Sequence, residues 1–198
     1  MDSIDARNYD RGMFLLERFS LERLRRLVLS HAAGSVLEVG AGTGANLPLY
    51  ASDVNVIAIE LRPSHLSAAA RKARSAGRAA DISVAAANAQ WLPFADESFD
   101  TAVGTLVFCS IHDPGAALAE IRRVLRPGGH LLLLEHVRGQ TRLTRLMTDT
   151  LHPVWFALQG ECHLNRETAR TVADAGFRVE RTTTHARGQL HVMHEPQP

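Results

Sequence analysis

Glycine recurs at alternate positions in the run Val36-Leu37-Glu38-Val39-Gly40-Ala41-Gly42-Thr43-Gly44-Ala45-Asn46. Glycine is needed where a ligand must approach the main chain closely, or where φ is positive. A loop of this kind between a strand and a helix start turns N–H groups toward a negative group. Glu60 closes the next apolar run, twenty residues after Gly40. A carboxylate at that place suits the paired hydroxyls of a ribose. The pattern points to a nucleoside-like cofactor with an anionic end.

Other side chains carry reactive groups. His136 ends an apolar run and reads as a base or substrate positioner, or equally as a hydrogen-bonded structural histidine. Cys109 reads as a wall of an acceptor pocket or as a small buried hydrophobe. Cys162 and His163 are adjacent, but a metal site needs more ligands at suitable spacing, so no metal is expected. Trp155 and Phe156 read either as an apolar wall over an acceptor or as an anchor to the core. Asn165-Arg166-Glu167 reads as a substrate contact or as a helix start capped by Asn165.

These residues need elements to hold them. Apolar runs at 36–39, 54–60, 81–86, 99–107 and 130–137 read as strands. Helices are expected at Phe14 to Ser30, Ser64 to Ala76 and Asp113 to Leu125. In the first, Leu21, Leu24, Leu27 and Val28 are assigned to the buried face, and Arg23, Arg25 and Arg26 to others. Its arginines read as a solvated face, with a membrane-touching surface as the alternative. Strand and helix alternate, which implies a parallel sheet covered on both faces. Further on, Thr141 to Leu158 reads as a helix interrupted at His152-Pro153. Asn165 to Ala175 reads as another helix. Phe177 to Thr184 and Leu190 to His194 read as a terminal strand pair.

The totals agree with one globular domain of 198 residues, 45% hydrophobic and 22% charged, with a net charge of +1. That charge gives no electrostatic case for nucleic acid, and a small-molecule acceptor fits better. The two cysteines show no CxxC spacing and suit a reducing compartment. Met1 to Asp10 is polar and is not a signal peptide. No run is long enough to span a membrane, so a cytoplasmic location is expected.

The glycine turn alone suits the methionine carboxylate of S-adenosylmethionine (SAM) and the pyrophosphate of a dinucleotide equally. Indeed Gly40-x-Gly42-x-x-Ala45 also fits the relaxed dinucleotide pattern. Later motifs decide between them: Asn88-Ala89-Gln90-Trp91-Leu92-Pro93-Phe94, then Asp96-Glu97-Ser98-Phe99-Asp100, then Arg123-Val124-Leu125-Arg126-Pro127-Gly128-Gly129-His130. In this order they resemble the class I SAM-dependent methyltransferases of the type 11 group. The resemblance implies an α/β, Rossmann-like, seven-stranded, mostly parallel sheet with helices on both faces and the last strand antiparallel. It implies SAM as cofactor and S-adenosylhomocysteine as product. Residues 1–34 would form a helical lid, and 35–198 the SAM-binding core.

By the same resemblance, Glu38 would lie beneath the amino-acid end of SAM, with Gly40, Ala41, Gly42, Gly44 and Asn46 around that end. Glu60 would bind the ribose hydroxyls and Leu61 would pack on the adenine. Ala89 would contact the adenine through its backbone, and Asn88 through its side chain. Asn88 stands where the family usually has Asp, and its carbonyl oxygen accepts the same bond without a charge. Thr105 and Leu106 would face the methionine. Tyr9, in Tyr9-Asp10-Arg11, resembles an element that closes over SAM.

The second half is similar to the methyltransferase-like-seven family of microsomal alkyl-thiol S-methyltransferases. The residues that carry this are 105–111, Glu135-His136-Val137, 151–155 and Gly160 to Thr168, with His152 where that family has Asp. Those enzymes have an N-terminal hydrophobic anchor, which is not expected here. This resemblance implies a small thiol as acceptor, His136 as the catalytic candidate, and Cys109, Trp155 and His163 at the substrate pocket. A phospholipid headgroup, quinone precursor or natural product methylated on N, O or C is the alternative. A SAM-binding module without catalysis is more remote.

Overall fold

Unbroken runs of Val, Ile, Leu and Ala favour strands buried on both faces. The computed structural model describes residues 21–75, 81–136, 168–178, 181–185 and 190–196, with Leu146 and Thr150. It sets five such runs side by side as parallel strands: β1 (Ser35–Val39), β2 (Asn55–Glu60), β3 (Ile82–Ala86), β4 (Phe99–Thr105) and β5 (Leu125–His136). Beyond β5 lie β6 (Arg181–His185) and β7 (Leu190–Pro196). β7 pairs antiparallel with both β5 and β6. The order across the sheet is β3-β2-β1-β4-β5-β7-β6.

The chain reverses its direction of winding between β1 and β4. In open α/β sheets this switch leaves a crevice at the carboxyl ends of the strands. The register brings the predicted residues to that edge. Val39 stands opposite Ile59 on one side and Gly104 on the other. The next residues, Gly40, Glu60 and Thr105, therefore emerge at one level from three adjacent strands.

Helices cover both faces: α1 (Glu22–Leu29), α2 (Pro63–Ser75), α3 (Pro114–Val124) and α4 (Thr168–Asp174). Alternate strand residues feed two cores. Leu37, Val39, Ala102, Leu131 and Leu133 pack with Leu118, Ile121 and Val124 of α3. Val36, Val103, Leu132 and Leu134 pack with Leu24, Val28 and Leu29 of α1 and Ala69 of α2. Asp113 caps α3, its side chain accepting the Ala116 N–H.

Three local expectations are corrected. The apolar face of α1 is not Leu21, Leu24, Leu27 and Val28: Leu27 is exposed, and Arg25 is buried in its place. β5 begins at Leu125, not His130, because Leu125 pairs with Phe99 before an irregularity that resets the register to Thr101 opposite His130. The glycine turn does not enter an α-helix but a short 3-10 turn, Leu47–Leu49, with Pro48 at its start. Tyr9, Trp155, Phe156, Cys162, His163 and the helix expected at 141–158 lie outside the described residues.

Candidate functional site

A cavity of about 560 Å³ opens at the switch point, within the usual size for a small-molecule site. The wall includes Gly40, Ala41, Gly42 and Thr43 after β1, and Glu60, Leu61 and Arg62 after β2. Asn88, Ala89 and Gln90 follow β3, and Thr105, Leu106 and Val107 follow β4. Two of the glycines are required by geometry. Gly40 has φ 65°, and a Cβ there would collide with the Val107 side chain. Gly42 has φ 55° with open space where its Cβ would be, so the main chain is bare toward the cavity.

Glu60 is fixed by the main chain around it. Its Oε2 accepts the Gly42 N–H at 2.8 Å and its Oε1 the Arg62 N–H at 2.8 Å. The carboxylate is buried yet lines the cavity. Leu61 beside it is exposed. Asn88 accepts the Gln90 N–H on its side-chain oxygen at 3.0 Å and the Trp91 N–H on its carbonyl at 3.0 Å. The loop it opens is a tight turn presenting Ala89 to the cavity.

Behind the glycine turn is a buried polar cluster. Arg25 Nη1 donates to Asn46 Oδ1 at 2.9 Å and to Thr105 Oγ1 at 2.7 Å. Asn46 Nδ2 donates to Glu38 Oε1 at 3.1 Å and to Thr105 Oγ1 at 3.0 Å. Burial pushes the Glu38 carboxyl up to about 7, against the opposing pull of a Tyr50 hydrogen bond, the Arg25 charge and the Asn46 bond. The Tyr50 phenol is pushed up in turn by burial and by Glu38. Glu38 and Asn46 thus sit beneath the cavity and do not form its wall, whereas Arg25 and Thr105 do.

The β4 end is held by a second buried acid. Glu135 Oε1 accepts the Val107 N–H at 2.9 Å and the Phe108 N–H at 3.0 Å. Leu106 between them and the strand adopts φ 54° and donates its N–H to Leu134 O at 2.7 Å. This is an uncommon conformation for leucine, and such outliers cluster at ligand sites. Cys109 is buried behind the wall, with Sγ 3.6 Å from Leu106 O, and is not a lining residue. Gly44 likewise is not on the wall. His136 ends β5, its backbone paired with Leu190.

The wall also contains residues that the sequence reading did not single out: Arg25, His65, Lys72 and His112. His112 lies with Ser110 and Ile111 past β4. For Arg25 a signal existed. It falls four residues after Leu21, three before Val28 and four before Leu29, in the middle of the apolar stripe. Among the described residues no group of three or more His, Cys, Asp or Glu is placed to hold a metal. Among them, too, no helix is long and apolar enough to cross a membrane.

The contents of this wall have a chemical match. A buried carboxylate faces the cavity on the β2 side and a buried guanidinium on the β1/β4 side, with bare main chain between them. Those groups fit a nucleoside ribose at one end and an amino-acid carboxylate at the other, as SAM has.

Comparison with known proteins agrees. Residues 37–133 match the family model described as methyltransferase domain. Thiol S-methyltransferase TMT1B of Rattus norvegicus is 31% identical over 179 residues, covering 89% of this chain and 73% of the relative. Phosphatidylethanolamine N-methyltransferase of Cereibacter sphaeroides is 35% identical over 118 residues, 58% of each chain. The crystal structure of a SAM-dependent methyltransferase from Aquifex aeolicus superposes with a TM-score of 0.74 at 19% identity, covering 100% of both chains, and so shares the fold.

Proposed function

This chain belongs to the class I SAM-dependent methyltransferases, and on that premise we propose that it transfers the methyl group to the sulfur of a small, partly apolar thiol. The observation that carries the acceptor class is the likeness to a thiol S-methyltransferase over 89% of the chain. That span includes the residues after β4 that line the cavity.

The cofactor supplies a methyl carbon on a sulfonium, which an acceptor displaces in line. Glu60 would hold the ribose hydroxyls, Leu61 the adenine face, and Ala89 with Asn88 the adenine edge. Gly40, Ala41 and Gly42 give the amino-acid end access to the main chain, backed by Glu38, Gly44 and Asn46. Thr105 and Leu106 close that end. Val107, Ser110, Ile111 and His112 extend the wall past Leu106 and suit the acceptor. A thiol ionises near pH ~8.5, so a fraction is thiolate at neutral pH and little base is needed. His136 at the end of β5 would take the proton or orient the acceptor, with Cys109, Trp155 and His163 nearby. Residues 1–34 would act as a cap on the core at 35–198; Arg25, reaching the cavity from α1, supports this. The pairing of β7 supports a seven-stranded sheet with its last strand antiparallel.

A labelled-methyl assay over thiols, phenols, amines and lipids tests the acceptor. Thiols should give SAM-dependent product. Product from another class alone would overturn the thiol assignment. The second reading, a lipid headgroup acceptor, is favoured by the likeness to a phosphatidylethanolamine N-methyltransferase. Activity that appears only with liposomes present would establish it instead.

A further inference from the structure

We propose that Arg25, on α1, is the cation that receives the carboxylate of the cofactor's methionine, a role the sequence pattern assigns to the amides of the glycine turn. The inference rests on the SAM reading of the cavity.

The amides expected to hold that carboxylate are largely engaged within the protein. Ala41 N–H donates to Ile59 O at 2.9 Å, Gly42 N–H to Glu60 Oε2 at 2.8 Å, and Gly44 N–H to Ala41 O at 2.8 Å. The 3-10 turn that follows has a proline in its first turn, which carries no N–H. Leu47 N–H donates to Gly44 O and Leu49 N–H to Asn46 O. The α-helix N-terminus that favours an anion is therefore missing after this turn.

Arg25 stands on the same wall as Gly40 to Thr43, and it is only 5% exposed. Its Nη1 is held by Asn46 and Thr105, both neutral. Glu38, the acid of the cluster, is held by burial with its carboxyl near 7, so it is not a full negative charge at neutral pH. Burying a guanidinium is costly unless an anion offsets it. A carboxylate entering the cavity supplies one, and the planar fork of arginine suits it. Two bonds through Nη1 set the orientation of the guanidinium in advance, which lowers the ordering cost of binding.

A strut role, tying α1 to Asn46 and Thr105, would also bury Arg25, so the test must separate the two. Calorimetry would compare S-adenosylhomocysteine with 5′-methylthioadenosine, which lacks the amino-acid end, on the full chain. Arg25→Gln should weaken S-adenosylhomocysteine about 30-fold or more and leave methylthioadenosine within about threefold. Arg25→Lys should lose less, since it keeps the charge without the fork. Equal weakening of both ligands, or unchanged S-adenosylhomocysteine binding, overturns the proposal. Should Arg25→Gln fail to fold, Arg25→Lys and the decarboxylated homocysteine analogue on the wild-type chain decide. Parallel binding of the two analogues to the wild type would overturn the proposal. Failure of the wild type to bind either SAM or S-adenosylhomocysteine would overturn the cofactor reading itself.

Discussion

Glu60 meets the cavity with each carboxylate oxygen already accepting one main-chain N–H. Each oxygen has a further lone-pair direction, so a fixed acid can still accept from two ribose hydroxyls. Replacing it with alanine removes those acceptors and leaves the Gly42 and Arg62 amides without their partner. Glu60→Ala should weaken SAM binding about 10- to 100-fold, the range for hydrogen bonds to a charged group. Calorimetry checks this, and unchanged affinity would end the ribose assignment. Glu60 and the glycines were legible because a turn and an acid at fixed spacing are local features of the chain. Arg25 was missed for the opposite reason. An arginine in a helix is read as solvated, and only packing against β1 and β4 reveals that its position belongs to the apolar stripe. The buried cluster of Glu38, Asn46, Thr105 and Arg25 spans eighty residues of sequence, so no window along the chain brings it together.

At the scale of elements, the ordered motifs turn out to be a clasp more than a ligand contact. Arg123, at the end of α3, donates to Phe94 O at 2.8 Å, Leu92 O at 3.1 Å, Asp96 at 2.7 Å and Glu120 at 2.8 Å. Glu120 in turn accepts the Leu92 N–H at 2.8 Å. The bond from Arg123 holds the Glu120 carboxyl below its usual range. The loop from Asn88 to Asp96 is thereby tied to α3, and its start is cavity wall. Arg123→Leu should cut these bonds and raise the KM for SAM several-fold. A loss of about 1–3 kcal/mol in unfolding free energy should accompany it, read from urea denaturation. A stability loss with no change in KM would mean that the loop position does not depend on the clasp. Strand identity and order were readable because continuous apolar runs and period-breaking glycines mark buried parallel strands. The start of β5 was not, because Pro127-Gly128-Gly129 looks like a turn while Leu125 still pairs with Phe99 across the irregularity. The missing helix after the glycine turn has the same character: the spacing asks for a helix, and Pro48 with the bonds of the turn gives a 3-10 segment.

At the scale of the whole molecule, two kinds of acid set how stability depends on pH, with opposite signs. Asp100 is held below its usual range by the Arg126 hydrogen bond and then by the Ser35 N–H, and Glu120 by Arg123. A lowered folded value adds stability that is present above the unfolded value and is lost as pH falls through the folded one. These groups therefore act below about pH 4.5, the ordinary glutamate value. Glu38 works the other way. Its folded value is raised to about 7 from 4.5, so the folded state binds the proton more tightly than the unfolded one. Its stabilising effect is complete below 4.5 and is lost as pH rises through about 7. The neighbours that face it are Tyr50, whose phenol is pushed higher still and stays protonated across this window, and Arg25, which stays charged. The window therefore belongs to Glu38. Stability of the ligand-free chain should fall by up to about 3 kcal/mol between pH 4.5 and 8 from this group, measured by urea unfolding at a series of pH values. Glu38→Gln, which keeps the shape and an oxygen to accept from Asn46, should flatten that slope. A slope that survives the substitution would mean that Glu38 is ionised in the folded protein throughout, and that Arg25 already has its counter-charge within the chain.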